Sequence, residues 1–150
     1  MNRMKGFTLV ELMVTVAIAA ILLAIAMPSL ESISNNNALK STTRDLVSTI
    51  NTARSQSLST RTNVLVEWAG GGWNNGWSIT YDATAAETSK DFKPQSGVTI
   101  SSSGGDLTFL SRGNLQGGPT TFTVCHNKLA SGRTISVSFL GKVTTDTGSC

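Results

Sequence analysis

Nineteen consecutive residues, Leu12 to Leu30, carry no charge. At about 1.5 Å per residue they form a helix of roughly 28 Å, close to the thickness of a bilayer core. Beyond Pro28 the pattern turns amphipathic. Leu39, Leu46, Ile50 and Ala53 recur at three-, four- and seven-residue steps, with Leu58 nearby, while Thr42, Arg44, Asp45, Asn51 and Arg54 occupy the other faces. This is the period of a helix. The spacing predicts one long helix from Phe7 to about Ser59, bent rather than ended by Pro28, with Asn35-Asn36-Asn37 as a weak point. From Arg61 the period switches to two. Val64, Val66 and Trp68 fall at alternate positions, as do Trp77, Ile79 and Tyr81, and the Gly- and Asn-rich stretch AGGGWNNGW separates them, so the two runs predict a hairpin. Further strands are expected at Val98–Ser101, Asp106–Leu110, Thr120–Cys125 and Arg133–Leu140, with a turn at Gly141. Asp82–Gln95 reads as a loop, and Gly117-Gly118-Pro119 as a turn. Together these elements predict an α+β protein, an N-terminal helix packed on antiparallel strands. Trp68 and Trp77 fall on core-facing positions of their strands. Trp73, inside the glycine loop, is the tryptophan expected to be exposed.

The apolar segment admits three readings. As a signal peptide it has a basic start at Arg3 and Lys5, an apolar centre and a small-x-small site at Ala24-Ile25-Ala26; cleavage there frees a secreted domain. As a signal anchor it spans the membrane with its basic end in the cytoplasm. Under these two readings Glu11, an acid at the edge of the apolar run, is an interfacial side chain snorkelling to the headgroups. The third reading uses it. The stretch KGFTLVE, followed by an uninterrupted apolar helix, resembles the N-terminus of the type IV pilin and pseudopilin family. The resemblance implies cleavage between Gly6 and Phe7 by a prepilin peptidase at the cytoplasmic face of the membrane. It also implies N-methylation of the new Phe7 amine and retention of the helix. Phe7 and Glu11 are four residues apart and share a helix face. In a filament of parallel helices, the Glu11 carboxylate of one subunit is then placed to pair with the Phe7 amine of the next. Such an acid is costly alone and is satisfied on assembly.

Charge and cysteines refine this picture. The formal charge is +3 over 150 residues, but removal of the first six residues leaves ten basic and nine acidic side chains. The basic pI therefore says little about a nucleic-acid surface. Two cysteines, Cys125 and Cys150, behind an export-type N-terminus favour one disulfide in an oxidising compartment. The later chain also resembles one branch of the family, the GspH/FimT branch of H-type pseudopilins and FimT/FimU-type minor pilins. The stretches TRDLVSTINTARSQSLSTRTNVLVEW, GGWNNGWSI, LTFLSRGNLQGG and GRTISVSFLGKV carry that resemblance. It implies a helix with two sheets and a Cys125–Cys150 bridge. The expected organisation is a leader at residues 1–6, a membrane and assembly helix at 7–30, the soluble half of the helix at 31–60 and a β-rich periplasmic domain at 61–150.

No catalytic constellation is visible, and no cofactor is expected. His126 is the only histidine. Its neighbour Cys125 points to the opposite face of a strand, and a disulfide removes that sulfur as a nucleophile. One histidine and two paired cysteines do not make a metal site, and the glycine pairs lack the spacing and lysine of a phosphate loop. Some FimT-type relatives receive DNA, so the late cations Arg112, Lys128, Arg133 and Lys142 are the candidate nucleic-acid contacts. Those relatives end in an arginine-rich Gly-Arg-x-Arg pattern, whereas this chain has Gly141-Lys142-Val143-Thr144 and then Asp146. The expectation is a non-enzymatic pilus subunit that assembles with other minor pilins and the major pilin. It is anchored once in the bacterial inner membrane with its C-terminal domain in the periplasm. A pseudopilin of type II secretion, a pilus-borne DNA receptor and a secreted hydrolase freed after Ala26 are the alternatives.

Overall fold

The computed structural model describes residues 7–81 and 89–150. Helix α1, Leu9–Thr60, is a single element of 52 residues. It does not stop at Pro28, and the three asparagines at 35–37 do not fray it. The chain divides into two compact units, one ending at Ser34 and the other running from Asn35 to Cys150. In the first unit the described residues from Leu9 onward are helical, and the described large apolar side chains, Phe7 to Ile33, are exposed.

The second unit holds the core. Among the described residues eight strands follow α1, namely β1 (Val64–Trp68), β2 (Trp77–Thr80), β3 (Lys90–Phe92), β4 (Val98–Ser102), β5 (Leu107–Phe109), β6 (Thr120–His126), β7 (Ser131–Val137) and β8 (Val143–Ser149). They form two antiparallel four-stranded sheets, ordered β3-β2-β1-β5 and β4-β6-β7-β8. Alternation decides the inner faces. Val64 and Val66, Trp77 and Ile79, Phe122 and Val124, and Ile135 and Val137 are all buried, with Leu46, Ile50 and Ala53 of α1 among them. The helix also buries polar groups, each with a partner. Thr43 and Thr49 donate their hydroxyls to the carbonyls of Leu39 and Asp45, both at 2.7 Å. The Thr49 oxygen in turn accepts from Trp77 Nε1 at 3.0 Å, tying the helix to the first sheet. Thr42 Oγ1 accepts from the Gln95 amide, also at 3.0 Å.

Several boundaries differ from the expectation. The final predicted strand begins at Ser131 and ends at Val137, and Ser138–Gly141 turn the chain into β8. Strand β8 was not expected at all. Its sequence VTTDTGS is mostly exposed and has no apolar alternation, so its place comes from seven registered backbone pairs with β7. Strand β3 lies within the stretch read as a loop. It is held on β2 by the Trp77↔Phe92 pair, whose rings stack at 5.8 Å. Residues 82–88 of that loop reading lie outside the described residues.

The tryptophans correct the sequence reading most directly. Trp73 is buried and Trp68 is 38% exposed. Residues 73–75 close into a short 3-10 turn, and Gly76, at φ 119°, lets the chain leave it. That turn folds Trp73 inward, edge-on to Phe122 of the opposite sheet at 4.8 Å. Asn74 Oδ1 accepts from the Ile100 amide, so the hairpin loop bridges the two sheets. Trp68, at the open end of its strand, packs only an edge against Trp73.

Candidate assembly site

Helix α1 opens on Thr-Leu-Val-Glu. The Thr8 hydroxyl accepts from the Glu11 amide at 3.2 Å, and Glu11 Oε2 receives the Thr8 amide at 3.4 Å and the Thr8 hydroxyl at 3.3 Å. This is a capping box, two free amides of a helix start satisfied by two side chains. A carboxylate here also faces the positive end of the helix dipole. The signal was readable in the sequence as Thr8-x-x-Glu11, and it adds a role for the acid that the apolar pattern did not suggest. The cap uses one carboxylate oxygen. Among the described residues, Oε1 has no partner. Phe7 precedes the cap and is exposed, while Gly6 and the rest of the leader lie outside the described residues. From Leu9 the helix is long and apolar enough to cross a membrane, and none of its most apolar window is buried.

Cys125 and Cys150 are bridged, with Cα atoms 5.7 Å apart. The bridge joins β6 to the end of β8 across the intervening β7. It passes over Gly132, where an added Cβ would lie 2.5 Å from Cys150 Sγ. His126 is 4% exposed, and its Nδ1 accepts the Lys128 amide at 3.2 Å, closing the turn after β6. It is a turn residue on the inner face, with its ring against Gly97. No cluster of metal-binding side chains occurs among the described residues.

The four late cations are not gathered into one track. Lys128 lies in the turn before β7 and Lys142 in the turn after it, at opposite ends of a seven-residue strand. Arg112 follows β5, and the close approach of Gly113 to Gly141 brings its turn beside that of Lys142, with Arg54 of α1 alongside. Arg133 goes elsewhere. It lines a cleft with Lys40, Thr43 and Arg44 of α1 and Thr145 of β8. Lys40 and Arg44 were not among the residues singled out from sequence, although their i, i+4 spacing with Thr43 between them places all three on one helix face.

Residues 42–141, two thirds of the chain, match the family described as Type II transport protein GspH. The chain belongs to the GspH family. In this GspH-family protein, residues 1–27 also match the prokaryotic N-terminal methylation motif. Two crystal structures of the type IV minor pilin FimU of Pseudomonas aeruginosa are similar to it. One is 24% identical with a TM-score of 0.65, covering 76% of this chain and 92% of its own. The other is 25% identical with a TM-score of 0.61, covering 72% and 92%. A search of the curated proteins finds no match. The long N-terminal helix on two antiparallel sheets is therefore the pilin-like α+β fold of a GspH/FimT-type pilin, a family of structural subunits.

Proposed function

We propose that this GspH-family protein is a minor pilin of a type IV pilus, cut between Gly6 and Phe7 by a prepilin peptidase, methylated at the Phe7 amine and incorporated near the filament tip, where it supports assembly. The observation that carries this reading is the apolar first half of α1, fully uncovered yet holding a carboxylate at its start. A charge at the centre of a membrane helix costs about 2.5–3.5 kcal/mol on insertion scales, and one near its end, as at Glu11, costs less. A neighbouring subunit's new amine offsets that cost, and the capping box leaves Glu11 Oε1 available to receive it. The apolar side chains of Leu9–Leu30 bury against parallel helices by the same step. Before assembly, the helix anchors the chain once in the inner membrane with the domain on the periplasmic side.

The likeness to FimU favours a pilus over a secretion pseudopilus. The family's own description, a type II transport protein, supports the pseudopilin as the second reading. Glu11→Ala tests the assembly role. The variant inserts in the membrane at wild-type level and is depleted from sheared filaments. Unchanged incorporation removes the pairing role.

A further inference from the structure

The cleft between α1 and the β7–β8 edge has a volume of about 230 Å³ and is lined by three cations and two hydroxyls, Lys40, Arg44 and Arg133 with Thr43 and Thr145. Among the described residues no carboxylate pairs with any of the three cations. The one acid on β8, Asp146, stands opposite Thr134 in the β7–β8 register. Alternation therefore turns it to the other face of the sheet from Thr145 and Thr147. Arg133 is half-buried, and its Nη1 donates to Thr147 Oγ1 at 3.2 Å. Three like charges lining one concavity repel each other, and an anion placed between them relieves that repulsion. Two guanidiniums are planar forks suited to bidentate recognition of a carboxylate or phosphate.

We propose that this cleft is a carboxylate acceptor, filled on assembly by an acidic side chain of a neighbouring filament subunit. This rests on the assembly reading above. The shape favours a single acidic side chain over nucleic acid. The cleft is one localised point, and Lys128 and Lys142 lie at opposite ends of β7 rather than along a track. No aromatic ring lines it for base stacking. The domain is also close to neutral beyond its leader. In a filament, tethering presents the acid at a high effective concentration, so weak intrinsic affinity suffices.

The test uses the full chain in detergent micelles and an amidated, fluorescently labelled tetraglutamate peptide, followed by anisotropy at low ionic strength. Saturable binding is expected. It falls by about tenfold or more in Arg44→Gln/Arg133→Gln, is kept within about twofold in Lys142→Gln, and is lost at about 1 M salt. Arg44→Lys/Arg133→Lys, which keeps the charge and loses the fork, binds with intermediate affinity and guards against a folding defect. Absence of saturable binding overturns the proposal, as does equal binding by the Gln double variant. Tighter binding of a DNA duplex through the same two arginines also overturns it and assigns the cleft to nucleic acid. In cells, the Gln double variant is depleted from filaments. If it is incorporated normally while Glu11→Ala is not, the cleft has no assembly role and the assembly reading stands. If both are incorporated normally, both fail.

Discussion

Gly132→Ala is the substitution for which the structure makes the sharpest energetic statement. The Cys125–Cys150 bridge reaches from β6 to the end of β8, and β7 lies between them. A Cβ at Gly132 would meet Cys150 Sγ at 2.5 Å, the Val124 carbonyl at 2.5 Å and Cys125 Sγ at 3.0 Å. None of these atoms can swing away, because the carbonyl belongs to the β6–β7 ladder and the sulfurs are bonded to each other. Overpacking costs about 1–3 kcal/mol, and two immovable contacts put this case near the upper end, about 3 kcal/mol. Removal of the bridge in Cys125→Ala/Cys150→Ala costs about 3.5 kcal/mol in the chain-entropy treatment for a separation of 25 residues. In that background the sulfurs are gone and only the Val124 contact remains, so Gly132→Ala should cost about 1–2 kcal/mol less than in the bridged protein. That difference is the coupling energy of a double-mutant cycle. Urea unfolding of the full chain in micelles, followed by tryptophan fluorescence, measures all four corners. If the costs add to within about 0.5 kcal/mol, glycine is not required at this position by the bridge.

Three further outcomes follow from buried and capping groups. Thr49→Val leaves Trp77 Nε1 buried without its acceptor and should lower unfolding stability by about 1–3 kcal/mol, with Thr49→Ser restoring most of it. Trp73→Ala should cost about 3–5 kcal/mol and Trp68→Ala clearly less in the same urea series, since the first is buried against Phe122 and the second is 38% exposed. Thr8→Val removes the capping hydroxyl and should cost the first turn of α1 about 1 kcal/mol, seen as faster amide exchange at Glu11 in micelles.

Periodicity was the strongest guide to the fold where side chains bury in alternation. Helix α1, β1 with β2, and β4 to β7 all carry an apolar stripe at the period of their element, and those stripes form the core. Strand β8 carries none, because an edge strand exposed on most of its positions needs backbone pairing rather than apolar side chains. Only the cysteine at the terminus hinted that the chain returns to β6. Trp73 was misplaced for a related reason. A glycine-rich loop suggests exposure, yet the same glycines permit the tight turn that folds the indole inward. For the assembly site, the unusual acid was visible at once, whereas its local partner Thr8 was overlooked beside the louder apolar run. The cleft was half legible. Arg133 was a candidate, but strand pairing and helix packing, not sequence proximity, join it to Lys40 and Arg44.

The most direct test of the account is the N-terminus of the mature protein, read by mass spectrometry of the chain recovered from sheared filaments and from the inner membrane. Both fractions should begin at an N-methylated Phe7 and retain the whole apolar helix through Leu30. A chain beginning at Met27, freed after Ala26, would contradict it, and so would an uncut leader in the filament fraction.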